Sequence, residues 1–148
     1  MIKSKYLKLL ETIEKIDDIK HHIFSNFDIN DILLNSKIKD KFNGCFMHDI
    51  FEPNNIKPYS IINTDNSSKT GTHWLGVFQD DKILYVYDSF ARQYILRTFK
   101  KRMMSKGYKV VLCNDQKDQK KSEVDCGLRC MIWLLFINKY GFEKCKNI

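Results

Sequence analysis

Two apolar runs on either side of Asp80 and Asp81 constrain the fold of this chain more than any other feature. The runs cover residues 73–79 and 82–88 and are rich in branched and aromatic side chains, which favour extended structure. Consecutive aspartates between such runs are typical of a turn. We therefore predict a β-hairpin, in which the start of the first strand lies beside the end of the second.

Helices are predicted from apolar spacing and from the residues that begin or end a segment. Four of them are expected, at residues 2–23, 31–41, 91–106 and 128–140. For the second helix, Asp28 or Asn30 can cap the N-terminus, and Asn43 and Gly44 end it.

Outside the hairpin, two more strands are expected, at residues 59–63 and 108–113. Residues 46–59, with both prolines, and residues 114–123, which are wholly polar, have the composition of loops. Together the elements predict an α+β fold, in which helices flank a small mixed or antiparallel sheet.

Length and apolar content indicate a single domain, residues 1–148. Two domains of half that size would each be marginally stable. No apolar run approaches the ~20 residues that span a bilayer, and the N-terminal residues do not have the pattern of a signal peptide. We therefore expect an intracellular protein that is not secreted and has no membrane contact.

The cysteines do not form an evident disulfide framework or metal site. They are odd in number, at positions 45, 113, 126, 130 and 145. In a reducing compartment we expect them as thiols. A zinc site is disfavoured because the chain has no Cys-x-x-Cys or His-x-x-x-His spacing, so we predict no metal.

A basic stretch without acidic residues extends over residues 92–109 of a chain whose net charge is +7. Its central cations are Arg97, Lys100, Lys101, Arg102 and Lys106. Such a stretch can contact nucleic-acid phosphates. It is equally typical of a solvated helix face, and both interpretations stay open.

Two titratable residues lie at the ends of the predicted hairpin. His73 opens the first strand and Asp88 closes the second. Taken alone, a histidine in this position is usually structural, and an aspartate is usually a turn former or a cap. Because the hairpin brings them together, we predict that the carboxylate orients the imidazole as it would for a general base.

Cys126 lies between a polar loop and the first turn of an apolar helix. The positive end of a helix dipole favours a thiolate, which is the form that attacks carbonyl carbons. Most cysteines are simply buried, and Cys113 and Cys130 fit that description because both lie in apolar runs. Cys126 differs, and the neighbouring Gly127 would let the backbone approach a substrate carbonyl.

An acyl-transfer site also needs donors for the oxyanion. Amides in the first turn after Cys126 can serve, and the preceding polar loop offers the side chains of Gln116 and Gln119. The residues therefore predict Cys126 as nucleophile, His73 as general base and Asp88 as the orienting acid.

Three segments resemble the adenovirus-type (adenain-like) maturation cysteine proteases, within the group that also holds the SUMO-deconjugating peptidases. They are Gly71-Thr72-His73-Trp74, Tyr87-Asp88-Ser89-Phe90 and Asp125-Cys126-Gly127-Leu128. The resemblance implies an adenain-like fold and assigns general base, acid and nucleophile to His73, Asp88 and Cys126. Gln119 best fits the oxyanion glutamine of the group, with Gln116 as the alternative.

The resemblance extends over residues 28–136 and leaves the helix within residues 1–24 as an extra element. Residues 61–64 favour the adenovirus branch. An aspartate at position 88 favours the SUMO-peptidase branch, because the adenovirus enzymes usually have glutamate there. The short chain is similar to the divergent enzymes of this group that large DNA viruses and virophages carry.

The resemblance implies an endopeptidase that matures capsids by cutting structural precursors after small residues such as glycine. It would act in the virion or inside the host cell and need no cofactor for its chemistry. Adenovirus-type enzymes use a DNA and a peptide activator; the basic stretch suits viral DNA, whereas Cys113 lies at the wrong spacing for the peptide. The alternatives are a peptidase for ubiquitin-like modifiers and a non-enzymatic, nucleic-acid-binding virion protein.

Overall fold

One mixed sheet of five strands organises the protein. The structure is a computed structural model that describes residues 2–14, 24–64, 73–89, 96–113 and 126–146. The strands lie in the order of the chain and are β1 (Phe42–Met47), β2 (Tyr59–Asn63), β3 (Trp74–Asp80), β4 (Ile83–Tyr87) and β5 (Lys109–Leu112). Strands β2, β3 and β4 are antiparallel, whereas β1 and β5 pair in parallel with their neighbours. The predicted α+β class is confirmed, with a mixed sheet.

Helices cover both faces of this sheet. They are α1 (Ile2–Glu14), α2 (Asn26–Leu34), α3 (Arg97–Ser105), α4 (Cys126–Tyr140) and α5 (Phe142–Cys145). Helix α4 is buried on nearly all sides, because α1 and α2 enclose it against the sheet. Apolar residues around the whole circumference of a helix are typical of such a central position.

The hydrophobic core is divided into two clusters by the sheet. Alternate residues of a strand point to opposite faces. Accordingly, Tyr87 packs in the cluster of α1, α2 and α4, while its neighbour Val86 packs in the cluster of α3. Helices α3 and α4 therefore lie on opposite faces of the sheet.

The predicted hairpin is confirmed. Strands β3 and β4 pair from Gly76 opposite Tyr87 to Asp80 opposite Ile83. The turn consists of Asp81 and Lys82, one residue later than predicted. Asp81 has a φ of 51°, which aspartate tolerates better than most side chains.

The helix predicted at residues 31–41 is wrong in position. Helix α2 begins at residue 26, because Ser25 forms a capping box with Asp28: the Ser25 hydroxyl accepts from the Asp28 amide at 3.1 Å, and the Asp28 carboxylate accepts from the Ser25 amide at 2.9 Å. Asp28 thus lies in the first turn and Asn30 in the middle of the helix. Residues 35–41 form turns.

Strand β1 occupies residues that the sequence predicted as a helix end and a loop. Its extended structure depends on parallel pairing with β2, a contact that no local pattern reveals. The register shifts between Phe42 and Gly44, and Gly44 has a φ of 136°, which only glycine adopts readily. The same glycine that predicted a break therefore forms a bulge within a strand.

The strands predicted at residues 59–63 and 108–113 agree with β2 and β5 apart from their ends. The helix predicted at residues 91–106 agrees with α3 where it is described, and residues 91–95 and the predicted loop at 114–123 lie outside the described residues.

The N-terminal helix is described as far as Glu14, and the rest of its predicted length lies outside the described residues. Helix α4 begins at Cys126, two residues before the prediction, and α5 was not predicted. Within the described ranges, no helix combines the length and apolar character needed to cross a membrane. The single domain stays a prediction for the chain as a whole.

Candidate active site

The ends of the β-hairpin bring an imidazole and a carboxylate together. His73 directly precedes β3 and Asp88 directly follows β4. The two side chains meet diagonally across the strand pair, with Nε2 of His73 2.6 Å from Oδ1 of Asp88. His73 is 4% exposed and Asp88 is fully buried, so little water competes with this hydrogen bond. Its length is that of a strong, charge-assisted bond.

Cys126 is the second titratable side chain beside this imidazole, because it contributes with Asp88 to the raised pKa of His73. Because Asp88 occupies Nε2, the ring nitrogen that remains for the thiol is Nδ1. His73 is therefore the residue that Asp88 and Cys126 have in common. This is the arrangement that proton transfer from a thiol to a carboxylate-held histidine requires.

The pKa of His73 is raised above its ordinary value of 6.5 as the balance of opposing effects. Burial disfavours the charged ring and acts to lower the pKa. The hydrogen bond to Asp88, the neighbouring Cys126 and the negative charge of Asp88 act in the other direction and outweigh the burial. The site thus favours an imidazolium at His73.

Cys126 is the first residue of helix α4 and is 7% exposed. The free amides of a helix N-terminus and the positive end of its dipole favour negative charge. The same amides are available as donors to an oxyanion. The predicted side-chain donor, Gln119 or its alternative Gln116, lies outside the described residues.

Gly127 allows α4 to approach β3 closely. A Cβ atom on Gly127 would lie 3.2 Å from the Cβ of Phe24 and 3.2 Å from Cδ1 of Trp74. The sequence assigned this glycine to substrate approach, but the described contacts give it a packing role. By letting the first turn of α4 rest on Trp74, it brings Cys126 beside the residue that precedes Trp74, which is His73.

Two further contacts hold this junction and were missed by sequence reasoning. The indole of Trp74 donates to the carbonyl of Phe24 at 2.9 Å, which ties β3 to the start of α2. The thiol of Cys130 donates to the carbonyl of Trp74 at 3.4 Å, which ties β3 to α4. Neither could be found from spacing, because the partners are about fifty residues apart in the chain.

The remaining thiols are unlike Cys126. None of the five cysteines forms a disulfide. Burial raises the pKa of Cys113 to about 12 and moves the pKa of Cys45 and Cys145 in the same direction. At neutral pH these three are protonated and weakly nucleophilic. Within the described ranges, no cluster of histidine, cysteine and carboxylate side chains has the arrangement of a metal site.

Two cations of the basic stretch, Arg102 and Lys106, pair with Glu52, a partner that sequence reasoning missed. Arg102 donates to the backbone carbonyls of His48 and Phe51, the second at 2.8 Å, and its guanidinium also contacts Glu52. Lys106 pairs with Glu52 at 2.6 Å. These two cations therefore hold the segment after β1.

The other predicted DNA contacts are exposed on one face of α3. They are Arg97, Lys100 and Lys101, which are spaced by three and four residues. This face lies on the opposite side of the sheet from Cys126. A polyanion bound here would hold the protein in place without reaching the thiol.

Comparison with known proteins adds no relative: no protein-family model matches the chain, and no curated protein matches it significantly.

Proposed function

We propose that this protein is a cysteine peptidase with Cys126 as nucleophile, His73 as general acid and base, and Asp88 as the group that orients His73. The observation that carries the proposal is the burial of Cys126, His73 and Asp88 together, with the 2.6 Å bond between His73 and Asp88 and the influence of Cys126 on the pKa of His73. The helix N-terminus at Cys126 supports it further. The adenain-like fold implied by the three sequence segments belongs to the same proposal.

The proposed reaction is acyl transfer in two steps. The thiolate of Cys126 attacks the scissile carbonyl carbon, and the imidazolium of His73 protonates the departing amine. Water then attacks the thioester and gives a proton to His73, which releases the acid product and restores the thiolate–imidazolium pair. Amides in the first turn of α4 and the side chain of Gln119 would stabilise the oxyanion in both steps.

The proposed substrates are viral structural precursors, cut after small residues such as glycine during capsid maturation. This part rests on the resemblance to adenovirus-type enzymes and on the exposed basic face of α3, which suits action on a DNA-filled particle. A second candidate is removal of a ubiquitin-like modifier. It is favoured by the aspartate at position 88, the residue that the SUMO-peptidase branch has in that role.

Labelling with a peptide electrophile tests the chemistry directly. We expect a vinyl sulfone or aldehyde peptide ending in glycine to label Cys126 alone, because the pKa of Cys113 and Cys45 is raised by burial. Cys126→Ala abolishes labelling, and His73→Ala reduces it on the order of a hundredfold. Cys113→Ala is the matched control and labels normally. Equal labelling with and without His73 would contradict the proposal.

The two substrate classes are separated by a cleavage assay. One reaction contains the capsid precursors of the same genome and the other a diglycine-ended modifier fusion, and the products are identified by mass. Cleavage of the precursors but not of the fusion supports capsid maturation. The reverse result favours modifier removal.

A further inference from the structure

Helix α1 places a tyrosine hydroxyl against the side chain of Tyr87, the residue that precedes Asp88. Tyr6 and Tyr87 are both fully buried, and their hydroxyl oxygens are 3.1 Å apart. Tyr87 is the last residue of β4 and immediately precedes Asp88. The hydrogen bond therefore joins the N-terminal helix to the end of β4, next to Asp88.

The two rings are held in place by α4, the helix that begins with Cys126. The Tyr87 ring stacks on Trp133 with centroids 5.5 Å apart, and the Tyr6 ring meets Phe136 edge-on at 5.9 Å. Trp133 in turn lies against the backbone of Gly76, where an added Cβ would be only 2.8 Å from the indole. Helix α1 is therefore connected to the end of β4 both by the tyrosine hydrogen bond and by the packing of the two rings on α4.

Packing of α1 alone does not call for a hydroxyl at position 6. Leu10 is 3% exposed and anchors the same face of the helix, with Ile2 and Ile13 beside it. A phenylalanine would fill the space of the Tyr6 ring. A hydroxyl buried in an apolar cluster is costly without a partner, and the partner here is the Tyr87 hydroxyl.

We propose that Tyr6 is a positioning residue: its hydrogen bond to Tyr87 fixes the end of β4, so that the Asp88 carboxylate meets Nε2 of His73. This inference rests on the proposed function and gives the extra N-terminal helix a place in it. Asp88 and Cys126 are the titratable groups that interact with His73 within the described ranges, so a change in either contact is visible in the titration of His73.

Tyr6→Phe tests the role of the hydroxyl while keeping the ring. We expect the contact between Asp88 and His73 to loosen, so that the pKa of His73 falls and the alkaline limb of kcat/KM for a peptide substrate moves to lower pH. The shift is a fraction of that caused by Asp88→Asn. For a peptide substrate, kcat falls about fivefold with KM nearly unchanged, the size expected from one hydrogen bond.

Leu10→Val is the matched control, because it weakens the docking of α1 without touching either hydroxyl. We expect a lower Tm for this variant and an unmoved pH profile. Tyr87→Phe removes the other hydroxyl of the same hydrogen bond, and we expect it to give the same pH profile as Tyr6→Phe. The double variant loses less than the sum of the two single variants, because both single changes remove the same hydrogen bond.

A Tyr6→Phe protein that loses stability like Leu10→Val but keeps the His73 titration and the alkaline limb of kcat/KM would overturn the proposal. The His73 titration, followed by NMR with His73→Ala for assignment, decides this point even if Cys126 cleaves nothing. A different result would show that the peptidase proposal fails: Cys126 would be alkylated at the same rate in the unaltered protein and in the His73→Ala variant.

Discussion

The hydrogen bond between His73 and Asp88 makes the stability of the folded protein depend on pH. A histidine whose pKa is raised in the folded state contributes stability that is fully present below its ordinary pKa of 6.5. That contribution is lost as the pH rises through the raised pKa. The imidazolium is lost over the same range, so the alkaline limit of the proposed peptidase activity, which needs His73 as general acid, is set by the contact with Asp88.

Asp88→Asn separates this electrostatic effect from folding. We expect the pKa of His73 to fall, because burial continues to disfavour the imidazolium after the carboxylate charge is gone. Peptidase turnover falls on the order of a hundredfold or more while the circular dichroism spectrum is unchanged. NMR titration of the histidine ring measures the pKa.

Asp80→Asn is the matched control for this change. Asp80 is an exposed carboxylate at the far end of β3, and it has no contact with His73. Its removal leaves the titration of His73 where it was. If Asp88→Asn also left the titration unchanged, Asp88 would not be the orienting acid.

At the scale of elements, Arg102 ties α3 to the segment that follows β1. Its guanidinium donates to two backbone carbonyls, those of His48 and Phe51. Phe51 belongs to the α3 cluster and contacts the ring of Phe99, with centroids 5.7 Å apart. The forked geometry of the guanidinium, which lysine lacks, satisfies both carbonyls at once.

Arg102→Lys is therefore expected to lower the free energy of unfolding by ~1–3 kcal/mol, although it preserves the charge. Urea unfolding followed by tryptophan fluorescence measures the change. Lys101→Arg, on the exposed face of the same helix, shifts the value by no more than ~0.5 kcal/mol. Equal stability of the two variants would show that the Arg102 fork contributes nothing.

Local patterns predicted the hairpin and failed on strand β1, and the difference is physical. Strands β3 and β4 are adjacent in the chain and joined by a two-residue turn, so the partners, the turn and the His73–Asp88 contact all follow from one stretch of sequence. Strand β1 needs β2 beside it to be extended. Tertiary pairing overrides the weak local signal of Asn43 and Gly44.

The same division holds for the candidate site. Cys126 and His73 could be predicted because each lies at an element boundary with a readable local pattern. The contacts that join them could not, since Trp74 bonds to Phe24 and Cys130, and Tyr6 to Tyr87, across long stretches of chain. The pairing of Glu52 with Arg102 was hidden for the same reason.

At the scale of the whole molecule, the sheet separates the thiol from the exposed cations of α3. We expect the α3 face to bind duplex DNA without sequence preference. Reversal of two charges, in Lys100→Glu with Lys101→Glu, weakens binding and reduces the slope of log K against log salt by about 2. Fluorescence anisotropy at several salt concentrations measures both quantities.

Lys37→Glu with Lys39→Glu is the matched control, because it changes the net charge equally at exposed turn positions after α2. This variant keeps most of the affinity if the α3 face is the binding surface. Equal losses for the two double variants would instead indicate attraction to the net positive charge as a whole.

The position of α4 in the chain has a consequence for synthesis. Domains fold in part as the chain emerges, N-terminal segments first, at ~5–20 residues per second. The proposed base and acid lie in one hairpin and can meet early, whereas the proposed nucleophile lies in a later helix that must still dock on that hairpin. For a peptidase of the proposed kind, the site would therefore be complete only after that helix has left the ribosome.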